Sequence, residues 1–230
     1  GSELKRINLF SKYTLYIFLM MTSEKKIAEY LLQINAIKLQ PSNPFTWASG
    51  WKSPIYCDNR KTLSFPEVRS YVCDSFVSHI NALYPFAEVI AGVATGAIAH
   101  GVLVADRMDL PFIYVRSGAK GHGLGNQIEG YFEAGQKVVV IEDLISTGGS
   151  SLSAVKALKE AGCEVLGMTA IFTYEFKKAS GNFAAENCNL NTLSNYSVLI
   201  ETALQTGYIS EADVETLQAW RKDPSVWGVD

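Results

Sequence analysis

Residues suited to gripping an anion crowd into one stretch, Glu142-Asp143-Leu144-Ile145-Ser146-Thr147-Gly148-Gly149-Ser150-Ser151, directly after Val138-Val139-Val140-Ile141. Gly148 and Gly149 let the backbone turn so that several N–H groups converge on one point. Ser146, Thr147, Ser150 and Ser151 add hydroxyl donors, and a helix beginning there adds the partial positive charge of its N-terminus. These are the parts of a phosphate cradle. The carboxylates of Glu142 and Asp143 repel phosphate, so they should face ribose hydroxyls or a Mg²⁺ ion carried in on a polyphosphate. A plain strand-to-helix turn needs one capping hydroxyl and accounts for neither four of them nor the acidic pair. The Gly-Lys-Ser/Thr ending of a P-loop is absent, as is G-x-G-x-x-G spacing.

Two further stretches carry chemistry. Between Arg116 and Gly130 the chain is rich in glycine, with almost no apolar periodicity, and holds Arg116, Lys120 and His122. Such a segment buries little and is expected to be mobile, able to close over a charged leaving group and exclude water. From Phe45 to Arg60 the chain is aromatic and turn-rich, with Lys52 and Arg60 as its cations. A hairpin with Gly50 near its turn accounts for the aromatics but not for Ser-Gly-Trp-Lys-Ser-Pro followed by Asp-Asn-Arg.

The elements that must position these residues follow from pattern. Four β-branched apolar residues, Val138 to Ile141, read as a central parallel strand buried on both faces, with its ligands at the C-terminal end. A helix is expected from Leu152 to about Ala161. Ser23 is a plausible N-cap for a helix with Ile27, Tyr30, Leu31 and Ile34 on one face, and Pro66 opens a second helix. Glu88–Ala94, Pro111–Val115 and Glu164–Phe172 read as strands, and Thr95-Gly96-Ala97 starts another strand-to-helix turn. A polar loop then leads to two helices over Asn195–Thr206 and Ser210–Arg221, with Gly207 suited to a C′ position and Ser210 with Asp213 to a capping box. The fold class is α/β, an open and mostly parallel sheet flanked by helices. One compact domain is expected: 21–64 a helix and hood segment, 65–180 the core, 181–230 a hood strand and helical pair, with 1–20 an upstream extension and Gly1-Ser2 a cloning remnant.

Composition narrows the partners. With 230 residues, 48% apolar and 11% aromatic, the chain can fill a sizeable core. A net charge of −3 without a long basic block argues against nucleic acid. The apolar run Tyr13–Met21 is too short to cross a bilayer. Cys57, Cys73, Cys163 and Cys188 show no metal or disulfide spacing, which points to reduced thiols in the cytoplasm.

The run from Val138 to Ser150 resembles the signature of the type I phosphoribosyltransferases: an apolar strand, two acidic residues, two variable ones, then Ser/Thr-Thr-Gly-Gly-Ser/Thr. Within that group, Ser49-Gly50-Trp51-Lys52-Ser53-Pro54 and the Arg116, Lys120, His122 segment are similar to the orotate phosphoribosyltransferases. The resemblance spans roughly residues 22–222. It implies the type I fold with a small hood, and transfer of the phosphoribosyl group from phosphoribosyl pyrophosphate (PRPP) to N1 of orotate, giving orotidine 5′-monophosphate and pyrophosphate in pyrimidine biosynthesis. By the same resemblance Glu142 to Ser150, including Leu144 and Ile145, bind PRPP. Arg116, Lys120, His122 and Asp143 serve catalysis, and Ser146, Lys52 and Arg60 serve orotate. Mg²⁺ arrives with PRPP near Glu142 and Asp143 without a dedicated protein site, and a homodimer shares the 116–130 loop between subunits. The chain departs from some members in having Ser117 after the arginine, Gly96 in place of a lysine, and no arginine in Thr173–Lys178. A transferase for another base, a non-catalytic PRPP-binding regulator and a flavodoxin-like protein are the competing readings.

Overall fold

The computed structural model describes residues 22–116 and 127–228. Helix α1 (22–33) leads into strand β1 (Ile37–Leu39), the hairpin strands β2 (Phe45–Thr46) and β3 (Lys52–Ser53), and β4 (Ile55–Cys57). A 3₁₀ turn (Asn59–Ser64) precedes helix α2 (Pro66–Leu83), which has proline in its first turn, where a missing N–H costs nothing. Then follow β5 (Val89–Val93), α3 (Ile98–Met108), β6 (Phe112–Val115), β7 (Ile128–Glu129), β8 (Lys137–Ile145), α4 (Gly149–Glu160) and β9 (Glu164–Thr173). The chain ends through α5 (Lys177–Ala185), β10 (Leu190–Asn195), α6 (Tyr196–Gln205) and α7 (Glu211–Lys222).

Six strands form one sheet in the order β10-β9-β8-β5-β6-β7, parallel except for β7. β8 lies inside it and separates two cores. Val138 and Val140 pack with Leu152, Val155 and Phe183 on one face. Val139 and Ile141 pack with Phe76, Val104 and Trp220 on the other. That split is the period-two alternation of a strand covered on both sides, as expected for its unbroken apolar run. β5 and β8 are direct neighbours, with Gly92 opposite Ile141. The turns that leave their C-terminal ends are therefore side by side.

Several expectations shift. α4 begins at Gly149 rather than Leu152, and β8 continues through Ile145, so both carboxylates sit in the strand. Residue 22 is already helical, which puts Ser23 inside α1, its Oγ sharing a hydrogen bond with Ser75 Oγ at 3.4 Å. The polar loop after Lys178 contains α5, hidden by the weak helix formers Ser180, Gly181 and Asn182 and held instead by burial of Ala179 and Phe183. The strand expected in the hood beyond residue 180 is β10, an edge of the main sheet. The far end of the 116–130 segment pairs as β7 with β6. The capping box at Ser210 and Asp213 forms, and Asn195 caps α6 by accepting from Val198 N.

Candidate active site

At the end of β8 the chain makes its turn through Gly148, whose φ of +82° is a left-handed conformation that a side chain disfavours. No hydroxyl caps α4. The first N–H groups of a helix lack partners within it, so a bare N-terminus with a serine-rich first turn is poised to receive an anion. α5 braces this turn from behind: Asn182 Nδ2 donates to the Thr147 carbonyl at 2.9 Å, and a Cβ on Gly148 would come within 2.7 Å of the Phe183 ring. Around Gly149, by contrast, there is open space, and Ser150 is exposed. The cradle is closed on the α5 side and open on the other.

The two carboxylates differ. Glu142 is buried, with Oε1 accepting from Asp143 N and Oε2 from Ser151 Oγ, both at 2.8 Å. Burial, with the adjacent Asp143 charge second, raises its carboxyl to about 8. Asp143 is partly exposed; burial raises its carboxyl as well, while hydrogen bonding to Glu142 and the charge of Arg60 oppose the rise. Its carboxylate occupies the space that a Cβ on Gly96 would need. Glycine in the Thr95-Gly96-Ala97 turn thus lets the acidic end of β8 nest against the neighbouring loop. Among the described residues, no three His, Cys, Asp or Glu side chains converge to hold a metal. The partly exposed Asp143 carboxylate is a hard-oxygen donor of the kind that suits Mg²⁺ arriving with most of its ligands on a polyphosphate.

Beside the cradle lies a cavity of about 510 Å³, in the range of small-molecule sites. Trp47, Tyr56 and Cys57 line it from the hood, Leu144 and Ser146 from β8 and the turn, and Tyr174 from the end of β9. The aromatic wall is braced: Trp47 tilts over Tyr174 at 5.5 Å between centroids and meets Trp220 edge-on at 5.5 Å, and its Nε1 donates to the Ile55 carbonyl at 3.2 Å. Leu144 and Ser146 were expected among the site residues and belong to both cradle and cavity. Tyr174 is the residue that pattern alone passed over; an aromatic at the C-terminal end of a parallel strand was the available signal.

Lys52 Nζ donates to Thr46 Oγ1 at 2.9 Å, and Thr46 also lines the cavity. The Arg60 guanidinium, with its side chain 62% exposed, pairs with Asp58 at 2.7 Å and acts electrostatically on Asp143 and Tyr56. Arg116 stands at the neck of the glycine-rich segment. Its N–H donates to the Gln127 carbonyl at 2.9 Å, Gln127 Nε2 returns a bond to the Arg116 carbonyl at 2.9 Å, and Arg116 Nε lies 3.3 Å from Glu129 Oε1. Lys120 and His122, expected to act with it, lie outside the described residues.

Comparison with known proteins adds an independent line. The model of the phosphoribosyl transferase domain matches residues 73–205. Orotate phosphoribosyltransferase of Porphyromonas gingivalis is 57% identical over 210 residues, covering 91% of this chain and all of that protein. The enzyme of the same name from Phocaeicola vulgatus is 59% identical over 208 residues, or 90% of this chain and 98% of its own. Among solved structures, orotate phosphoribosyltransferase from Aeropyrum pernix superposes with a TM-score of 0.70 at 26% identity, over 80% of this chain and 99% of that one.

Proposed function

The chain belongs to the orotate phosphoribosyltransferases, within the phosphoribosyltransferase family, and from that premise we propose how its residues divide the work. The reaction moves the 5-phosphoribosyl group from PRPP to N1 of orotate, giving orotidine 5′-monophosphate and pyrophosphate for pyrimidine biosynthesis. The 5′-phosphate sits in the Ser146–Ser150 turn against the N-terminus of α4. Asp143, with Glu142 behind it, takes the ribose hydroxyls. Arg116, Lys120 and His122 meet the pyrophosphate, next to the Thr95–Ala97 turn. Orotate lies in the aromatic cavity between Trp47 and Tyr174, with Lys52 or Arg60 at its carboxylate.

Breaking the C1–O bond develops positive charge on the sugar ring and negative charge on the departing pyrophosphate. Cations placed in advance stabilise the second, and the Asp143 carboxylate the first. N1 then attacks from the opposite face, and no covalent bond to the protein is required. Asp143, with Glu142 behind it, would hold Mg²⁺ arriving on PRPP, and the ion would supply neutralisation of the polyphosphate charge. Two copies of the chain, each lending its 116–130 loop to the other's site, complete the proposal. We assign the protein to the cytoplasm, in keeping with its free cysteines.

The observation that carries this reading is the shared wall: Ser146 is at once the start of the anion turn and a lining residue of the aromatic cavity. Base and sugar phosphate therefore meet at one strand end. The test is spectrophotometric: orotate should be consumed only when PRPP and Mg²⁺ are both present. Pyrophosphate release with another base and not with orotate would overturn it. Lys120→Ala should lower kcat on the order of a hundredfold or more while orotate affinity barely changes; turnover like that of the unaltered protein would remove the loop from the chemistry.

A further inference from the structure

β8 outlasts its neighbour. Pairing with β5 ends at Gly92 and Ile141, while pairing with β9 continues to Ile145 and Thr173. Asp143 therefore lies where β5 no longer runs alongside, and its partly buried backbone carbonyl needs a donor. The donor comes from far away in the chain. Asn59, 1% exposed at the start of the 3₁₀ turn, points Nδ2 at the Asp143 carbonyl at 2.7 Å.

Asn59 is itself fixed on both sides. Its Oδ1 accepts from the thiol of Cys57 at 3.3 Å, and Cys57 lines the aromatic cavity. Its own carbonyl accepts from Thr62 Oγ1 at 2.6 Å. That bond uses the single hydroxyl hydrogen of Thr62, so the contact at 3.1 Å with His100 Nε2 requires the imidazole to donate. His100 stands on α3, which starts directly after the Thr95–Ala97 turn. Hood, acidic strand end and helix α3 are joined by one run of hydrogen bonds, buried in part, with Asn59 at the junction.

We infer that Asn59 is a positioning residue for the transfer reaction: its carboxamide clamps the Asp143 backbone and couples the base-binding hood to the sugar-binding carboxylate. The inference rests on the assignment of Asp143 to the ribose. Asn59 touches neither substrate; it holds Asp143 at the depth where its carboxylate nests against Gly96. Removing the amide leaves a partly buried carbonyl unpaired, and an aspartate in its place sets an acceptor against an acceptor.

The experiment compares Asn59→Asp and Asn59→Ser with Val72→Ala, a core truncation on α2 that lowers stability without touching the relay. Both Asn59 variants should lose at least tenfold in kcat/KM for PRPP, with orotate affinity in the absence of PRPP changed less than threefold. Val72→Ala should lose Tm while keeping kcat/KM within twofold. An Asn59 variant with unaltered kcat/KM, or losses that merely track Tm across all three proteins, would overturn the inference. Should the variants fail to fold, the unaltered protein decides: the Asn59 side-chain NH₂ resonance should be protected from exchange and shift when PRPP is added. An unprotected or unresponsive resonance overturns the inference equally. No turnover of orotate by the unaltered protein would instead sink the assignment of the reaction, and the resonance distinguishes that failure from this one.

Discussion

The anion turn is a single continuous run carried by β8 and α4, whereas the aromatic wall facing it is assembled from Trp47 in the hood, Tyr174 after β9 and Trp220 in α7. The first works mainly through the backbone: a left-handed Gly148, an uncapped helix start and hydroxyls along it. The second works through side-chain surface, each ring supported by another. Backbone sites need few residues, but each has little freedom to change. Side-chain walls need many residues and spread the burden among them. Substitutions should therefore act sharply and selectively in the cradle, and more mildly, with a share of lost stability, in the hood.

The sharpest test is Asp143→Asn. It keeps the shape and one acceptor oxygen but deletes the charge, and kcat/KM for PRPP should fall roughly a hundredfold or more with a weakened Mg²⁺ dependence, by steady-state kinetics. Unchanged titration with PRPP would erase the proposed contrast between the regions. Trp47→Ala should raise the orotate KM by about tenfold and leave the PRPP KM within threefold, with a loss of about 1–3 kcal/mol in denaturant unfolding. A PRPP defect as large as the orotate defect would mean that the wall and the cradle are one unit. Gly148→Ala forces a methyl into a left-handed turn and toward Phe183, so about 2 kcal/mol of stability should go, together with PRPP affinity. Gly149→Ala, facing open space, should cost far less stability.

The contrast extends to pH dependence, where the two sides have opposite signs. Where α3 meets the 3₁₀ turn of the hood, burial pushes the His100 imidazole down to about 4. Its neutral form is favoured by folding, so its stabilisation is full above pH 6.5 and is lost as pH falls from 6.5 toward 4. On the cradle side Glu142 is raised to about 8, so its contribution is full below the ordinary carboxylate range and declines as pH rises toward 8. Stability measured from pH 4 to 8 should then have an acid limb that His100→Gln flattens and an alkaline limb that Glu142→Gln flattens, each by up to roughly 3–5 kcal/mol. If one substitution flattened both limbs, the two sides would not be electrostatically separate.

Legibility followed the same division. Val138 to Ser150 was readable because a doubly buried strand, a glycine turn and a helix start each leave a local mark. The hairpin around Gly50 was equally local, and it formed with Gly50 at a φ of +86°. α5 left no mark, since Ser180, Gly181 and Asn182 favour loops and only the burial of Phe183 and Ala179 makes the segment a helix. Asn59 was passed over because nothing in an Asp-Asn-Arg run indicates that the amide will reach a carbonyl 84 residues away. Tyr174 was given no role, since a single aromatic does not announce which ring it will meet.

What the sequence by itself determined is the local make-up of the turn after β8 and the family it belongs to, because contiguous residues fix backbone conformation and local charge. The tertiary structure alone decided which rings close the cavity, that Glu142 is buried with both oxygens engaged while Asp143 nests against Gly96, and that Asn59 ties hood to strand. Those relations depend on packing between segments far apart in the chain, and local propensity carries no information about partners that only folding brings together.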